Sequence, residues 1–283
     1  GATHVELFLP FRYGSWVLPD NTDPYAAWCN TSPSFLRVCP PEELQPWCSL
    51  EHARWCRDIF EEQLEMIRPH DLRAVCNAVE PLWLPEDVYR EHPRWRGAQC
   101  ELGRIALRPY YAPSIDEPEV LDLYRRAARE FAELFPEVDQ FSFLTNDSGG
   151  GLAWTPNLYP GRNGPVRWRE RDTGERIAGW LKAIQDGARE VGSEMRLNLQ
   201  SSGLPPATVA SARAKLREGL FVCSGNNLEE SWGGPGAALR SDTWTPFYPA
   251  VGLGDPAGFL SGLQGIYSNP GGDGLRCSLH VAP

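Results

Sequence analysis

A short apolar strand over residues 140–147, QFSFLTND, runs directly into Ser148 and a triple-glycine turn, so that a carboxylate, Asp147, stands at a strand's carboxyl end. In α/β barrels and open α/β sheets the loops leaving those ends converge on one crevice, and chemistry is done there. The glycines permit a sharp turn and a close approach of backbone to ligand. An ordinary Asp-Ser-Gly turn uses the same residue types, so the company this segment keeps matters. Two other positions repeat the arrangement: Glu80 follows the apolar run LRAVCNAV, and Glu229 or Glu230 follows GLFVCSG. Two carboxylates across a glycosidic bond are what sugar hydrolysis needs, one protonated to donate to the leaving oxygen and one ionised as nucleophile or base. A shared cleft drives their pKa values apart. With 37 acidic residues some reach strand ends by chance. Glu80, Glu229 and Glu230 therefore stand as alternatives for the partner of Asp147.

Aromatic and amide side chains gather in the same class of loop. Trp83, Trp154, Trp168, Trp232 and Trp244 all follow expected strand ends, together with Tyr110, Tyr111 and Tyr159. Pyranose rings offer flat C–H faces that stack on such rings, and neighbouring amides bind the hydroxyls; large aromatics also simply pack long loops onto a core. Trp83, Trp154 and Trp232 are the expected stacking walls, and Asn146 the expected partner of a sugar hydroxyl. In LNLQS, Asn198 and Gln200 share one strand face by the period-2 rule, and Asn226 ends the next apolar strand. Inward amides are costly unless bonded. A hydroxyl-rich ligand or a buried hydrogen-bond network would satisfy them.

Composition narrows the classes. The chain has 283 residues, 42% hydrophobic and 23% charged, enough for one large core and a single domain over 1–283. No apolar run reaches the roughly 20 residues of a membrane helix, and no signal-peptide order opens the sequence. A cytoplasmic setting is the expectation, with Gly1-Ala2 leaving room for a leader outside this sequence. Net charge is -10, and no basic stripe marks a nucleic-acid footprint. RWRER at 167–171, the densest basic stretch, reads as local ion pairing. The eight cysteines form no CxxC pair and no metal-ligand spacing. This argues against zinc and for reduced thiols, although an even count leaves room for a bridge such as Cys29–Cys39. The five histidines are dispersed, so no metal and no cofactor is expected.

The elements that must position these residues alternate. Strands are expected at 4–11, 72–79, 104–112, 140–147, 194–201, 219–225, 264–268 and 275–281, and helices at 49–68, 117–135, 174–191, 205–217 and 256–263, with a short one in PEDVYREHP. Alternation of this kind implies parallel strands with crossover helices. About eight strands make an α/β fold of (β/α)8 TIM-barrel type, irregular or incomplete in its last units, with long loops after the first, fourth and sixth strands. Ser49 with His52 forms an N-cap turn for the first helix, whose stripe is Trp55, Ile59, Leu64 and Ile67; the helix at 117–135 directs Val120, Leu121, Tyr124, Ala128, Phe131 and Leu134 to the core. An open doubly wound sheet is the other architecture, but no GxGxxG follows the first strand.

Residues 72–160 carry NAVEPLWLPEDVYREHPRWRG and then YYAPSIDEPEVLDLYRRAAREFAELFPEVDQFSFLTNDSGGG. This order of strand, Pro-Glu loop, His-Pro-x-Trp, helix start and acid-ended strand resembles barrel-type glycoside hydrolases of the β-hexosaminidase and α-glucuronidase kind. The resemblance implies a glycosidase acting on a carbohydrate substrate, with Asp147 as the matched acid. It departs from the hexosaminidase pattern in having Asn146-Asp147 where that family has Asp-Glu, so substrate-assisted chemistry is not carried over. The expectation is a glycoside hydrolase with Asp147 as general acid or base. A non-catalytic carbohydrate-binding barrel, or one domain of a larger carbohydrate-active protein, is the alternative. A metal-dependent sugar isomerase ranks third, because its histidines are missing from the expected strand ends.

Overall fold

The computed structural model describes residues 4–7, 9, 33–100, 110–145, 150–154, 164–200, 204–217 and 220–224. Its centre is a parallel sheet of five strands in the order β1 (His4–Leu7), β2 (Arg73–Val79), β5 (Val138–Leu144), β6 (Arg196–Gln200) and β7 (Phe221–Ser224). Every pairing within it is parallel. Two further strands, β3 (Arg96–Gln99) and β4 (Tyr111–Pro113), form a separate antiparallel pair. The third strand expected at 104–112 thus does not join the main sheet where it is described. Asp147 therefore follows the third strand of the parallel sheet rather than the fourth, and 221–224 is its fifth rather than its sixth. The helix at 256–263 and the strands at 264–268 and 275–281 lie outside the described residues.

The sheet has two unlike faces, set by alternation along each strand. On one face lie Ala74, Cys76 and Ala78 of β2, Phe141 and Phe143 of β5, and Leu197 and Leu199 of β6, all buried. The register places Phe141 between Cys76 and Leu197, and Phe143 between Ala78 and Leu199. Helices cover this face: α1 (Phe35–Val38), α2 (Leu50–Ile67), α4 (Pro118–Leu134) and α5 (Thr173–Glu190). Phe141 stacks on Phe35 at 4.0 Å and meets Phe131 edge-on at 5.5 Å, while Phe143 lies 5.1 Å from Trp180. Helices α4 and α5 touch through Gly187, where an added Cβ would stand 2.0 Å from the Arg125 carbonyl oxygen. The opposite face carries a polar row in register, Asn77, Ser142 and Asn198.

Local signals set the helices. Ser49 accepts from the His52 backbone N–H at the start of α2, as its N-cap position predicts. The buried stripe of α2 is Cys56, Phe60, Leu64 and Ile67 with His52 and Ala53, whereas Trp55 and Ile59 are only half-buried. In α4, Leu123, Ala127 and Ala132 join the core, and Leu134 is 39% exposed. Short helices α3 (Glu86–Glu91) and α6 (Pro206–Arg213) complete the described set. Cys39, Cys48, Cys56, Cys76 and Cys100 are buried thiols, and Cys39 takes part in no disulfide, so the Cys29–Cys39 bridge is not formed. Among the described residues no helix is long and apolar enough to cross a membrane.

The amino ends of the strands are tied by charge. Asp139 receives His4 Nε2 at 3.2 Å, with Arg73 at 3.6 Å and Arg196 at 4.0 Å. Burial alone would raise its carboxyl, but the His4 hydrogen bond and the nearby Arg196 and Arg73 guanidinium charges outweigh burial and hold it below the ordinary value.

The aromatic row fixes the helical layer on the sheet. Phe141→Ala removes a ring with 0% exposure that touches Phe35 and Phe131. The expected loss is about 3–5 kcal/mol in chemical denaturation, against about 1 kcal/mol or less for Met66→Ala at a 64% exposed site on α2.

Candidate active site

At the carboxyl end of β2, alternation continues the apolar face through Ala74, Cys76 and Ala78 to Glu80, so the Glu80 side chain enters the helical layer and not the polar row. Its carboxylate is fully enclosed. Oε1 accepts from the Phe35 backbone N–H at 2.9 Å, and Oε2 from the Leu82 N–H at 3.2 Å and the Tyr124 hydroxyl at 2.8 Å. It thereby ties the first turn of α1, the turn after β2, and α4 to one point. Burial pushes the carboxyl up from its ordinary value, and the Ser34, Tyr124, Phe35 and Leu82 donors pull it only partly back. Glu80 was a candidate partner for Asp147. Its geometry is that of a structural clamp, with its donors supplied by the fold and no face open to a substrate.

Trp83, an expected stacking wall, is enclosed as well. Its ring packs edge-on to Tyr110 at 4.7 Å, and the Arg37 guanidinium lies over it at 5.6 Å. The segment around it is a small cap: Leu82 bridges Gly150, Leu84 bridges Tyr111, and Gly151 donates to the Pro81 carbonyl at 3.0 Å. An added Cβ on Gly151 would lie 3.1 Å from the Ala98 Cβ, so glycine lets the chain pass close under the β3–β4 pair. This cap consumes Trp83 as packing.

Trp154 remains half-buried, with its indole N–H donating to the Pro165 carbonyl at 2.8 Å. Its φ of 60° is a left-handed backbone that a bulky residue adopts only under constraint. The bond closes the base of the loop between 154 and 165. Asn198 is buried on the polar row, where its Nδ2 donates to Ser142 Oγ at 3.3 Å, and Gln140 Nε2 donates to the same oxygen at 3.0 Å. Asn77 extends the row and hydrogen-bonds Glu6, whose carboxyl burial pushes up and this bond lowers. Asn198 is thus met by a network within the sheet. Gln200 pairs in register with Leu144 and Ser224. Asn146, Asp147, Asn226, Glu229, Glu230 and Trp232 lie outside the described residues.

Sequence reasoning missed Glu6, Asn77 and Ser142. The signal for them is one polar residue inside each apolar strand, in VEL, CNA, FSF and LNL, the first three of which it passed over. It also missed two acids next to β4. Asp116 makes a buried bidentate pair with Arg176 at 2.7 and 2.8 Å. Glu117, also buried, accepts from Arg167 Nε at 2.7 Å and the Trp168 indole at 3.1 Å, with Arg94 at 3.3 Å. Among the described residues no group of three or more His, Cys, Asp or Glu could hold a metal. A groove of about 280 Å³ lined by Pro40, Pro41, Gln45, Arg126, Glu130 and Glu133 lies on the outer face of α4, away from the strand ends.

No family model and no curated protein matches the chain. Among solved structures it is similar to part of an α-galactosidase from Thermus thermophilus, at 17% identity over 51% of this chain and 26% of that one, with a TM-score of 0.32. A broad-specificity endoglucanase from an uncultured bacterium gives 13% identity, 65% and 49% coverage, and a TM-score of 0.32. A β-N-acetylhexosaminidase from Streptomyces coelicolor gives 14% identity, 67% and 40% coverage, and a TM-score of 0.32. The chain spans about a quarter of the galactosidase's length and less than half of the other two. Scores at this level bear on neither fold nor activity, which rest on this chain's own geometry.

The clamp has a pH signature. A carboxyl raised in the folded state contributes stability that is present below its unfolded pKa and lost as pH rises through the folded value. Glu80, raised from 4.5, should therefore make the protein lose stability as pH climbs above the ordinary glutamate range. In urea denaturation across that range Glu80→Gln should flatten this slope, the share from Glu6 remaining. An unchanged slope would remove Glu80 from the clamp.

Proposed function

We propose that the chain is a glycoside hydrolase in which Asp147 acts as general acid or base and Glu229 or Glu230 is the partner carboxylate. The observation that carries this reading is the order of the sheet. Strands β5, β6 and β7 are parallel neighbours, so the segments after Leu144, Gln200 and Ser224 leave from one edge. Asp147 comes three residues after the end of β5, and Glu229 five after the end of β7. Adjacent strands lie about 4.8 Å apart, which separates β5 from β7 by about 10 Å at the mouth. Carboxyl groups carried on those two loops can span the roughly 5–10 Å that glycoside hydrolysis uses. Glu80 leaves the set because its carboxylate is spent inside the helical layer.

The five parallel strands, taken in sequence order with the polar face of Ser142 and Asn198 also buried, support a (β/α)8 barrel whose interior holds that row. In this reading Asn146 binds a sugar hydroxyl beside the acid. Trp154 and Trp232 stand at the mouth, and Asn226 and Gln200 provide further polar contacts. Asn198 acts from below, by holding Ser142 and Gln140 in the row.

Asp147→Asn should lower turnover of the preferred activated aryl glycoside by about 10²–10⁴, the share of a positioned acid-base group, with the thermal midpoint kept within a few degrees. A panel of aryl glycosides identifies the sugar. A change of less than about tenfold on that sugar removes Asp147 from the acid-base role.

A further inference from the structure

The loop that begins at Asp147 ends in an ordered array of arginines and tryptophans just before α5. Arg167 and Arg171 both lie over the Trp168 ring, at 5.6 and 5.5 Å from its centroid, and Arg169 lies over Trp154 at 5.6 Å. Arg94 joins them from the turn before β3: Arg167 donates to its carbonyl at 2.6 Å. These are exposed cations, with Arg94 at 75%, Arg169 at 58% and Arg167 at 41% exposure. RWRER was expected to be locally ion-paired, and only part of it is. Arg167 and Arg94 share Glu117, which is 4% exposed beneath them. Among the described residues Arg169 pairs only with its neighbour Glu170 at 3.7 Å, itself 93% exposed. Arg171 makes no ion pair among the described residues. The neighbouring Asp172 carboxylate caps α5, accepting from the Glu175 N–H and the Ser211 hydroxyl, and forms no ion pair with Arg171 among the described residues.

This arrangement decides between two kinds of contact. A bare indole face would stack on a neutral pyranose. Here arginine side chains already stand over Trp168 and Trp154. Among the described residues the side chains of Arg169 and Arg171 donate no hydrogen bond, so their N–H forks stay open to carboxylate, sulfate or phosphate oxygens, whereas Arg167 spends its Nε and Nη2 on Glu117 and the Arg94 carbonyl. The ring contacts of Arg167, Arg169 and Arg171 restrict those side chains, so less side-chain entropy is lost when an anion binds. On a chain of net charge -10, a strip of this kind is a local reversal of sign.

We infer that the Arg94, Arg167, Arg169 and Arg171 strip docks an anionic polysaccharide chain, by its carboxylate or sulfate groups, beside the sugar cleft. Docking of the polymer is separate from cleavage, and it rests on the glycosidase reading only for the choice of a glycan over other polyanions.

The test is binding of the full chain, by titration calorimetry, to hexagalacturonate, a heparin-derived sulfated hexasaccharide, cellohexaose and a hexameric single-stranded RNA. At least one anionic hexasaccharide should bind about tenfold or more tighter than cellohexaose, and weaken as salt is raised. The carboxylated and sulfated arms show which group is preferred. Arg169→Gln/Arg171→Gln should lose about tenfold or more of that affinity, two charge-assisted contacts being removed, while Arg129→Gln on α4 loses none. Equal binding of the neutral chain, no binding of either anionic saccharide, an unaffected double variant, or tighter binding of the RNA would each overturn the proposal. Asp147→Asn is titrated alongside: anionic binding retained without any hydrolysis by the parent protein would sink the catalytic reading and leave the docking strip standing.

Discussion

The fold depends on the row of rings at Phe141 and Phe143. Because side chains alternate along a strand, a slip of β5 by one residue would exchange Phe141 and Phe143 for Gln140, Ser142 and Leu144 against the helices. The Phe35 and Phe131 contacts on one side and Trp180 on the other make that exchange costly. Register is therefore fixed on the strand that leads to Asp147. The neighbouring strands inherit it through the ladder, which aligns Asn77, Ser142 and Asn198 on the far face.

Acids near strand ends divide by what already binds them. Glu80, Asp116 and Glu117 are all buried, and each is held by donors of the fold: three backbone and hydroxyl groups, a bidentate arginine, and two arginines with an indole. Buried carboxylates persist only with such partners. Each joins segments distant in sequence, α1 with α4, β4 with α5, and the turn before β3 with the loop before α5. A carboxylate spent in this way is a fastener, and under the proposed function the chemistry falls to acids on the loops after β5 and β7.

Much of this was readable in the residues, and the losses have physical causes. Apolar periodicity placed α2, α4 and α5 to within a residue or two, and Ser49 marked its helix start. The parallel core followed from alternation of strand and helix. Of the strand expected at 104–112 only the end is described, and there Tyr111–Pro113 joins a local antiparallel pair, because β-type residues do not state which sheet they will join. Glu80 was placed correctly at a strand end and assigned to the wrong side; counting pleats from Cys76 and Ala78 would have put it with the apolar face. Trp83 was read as a wall because sequence gives its loop but not the Tyr110 ring packed on it. RWRER was read as locally ion-paired because charge counting along the chain cannot show that Asp172 is turned to the start of α5 or that Arg167 pairs with the distant Glu117.

The central claim is that acids on the β5 and β7 loops face each other across one mouth. The direct measurement is a crystal structure of the chain with a bound oligosaccharide. The account predicts the Asp147 carboxyl about 5–10 Å from that of Glu229 or Glu230, with the scissile oxygen between them. Asp147 locked onto an arginine away from the sugar, or standing there with no second acid within that span, would contradict it.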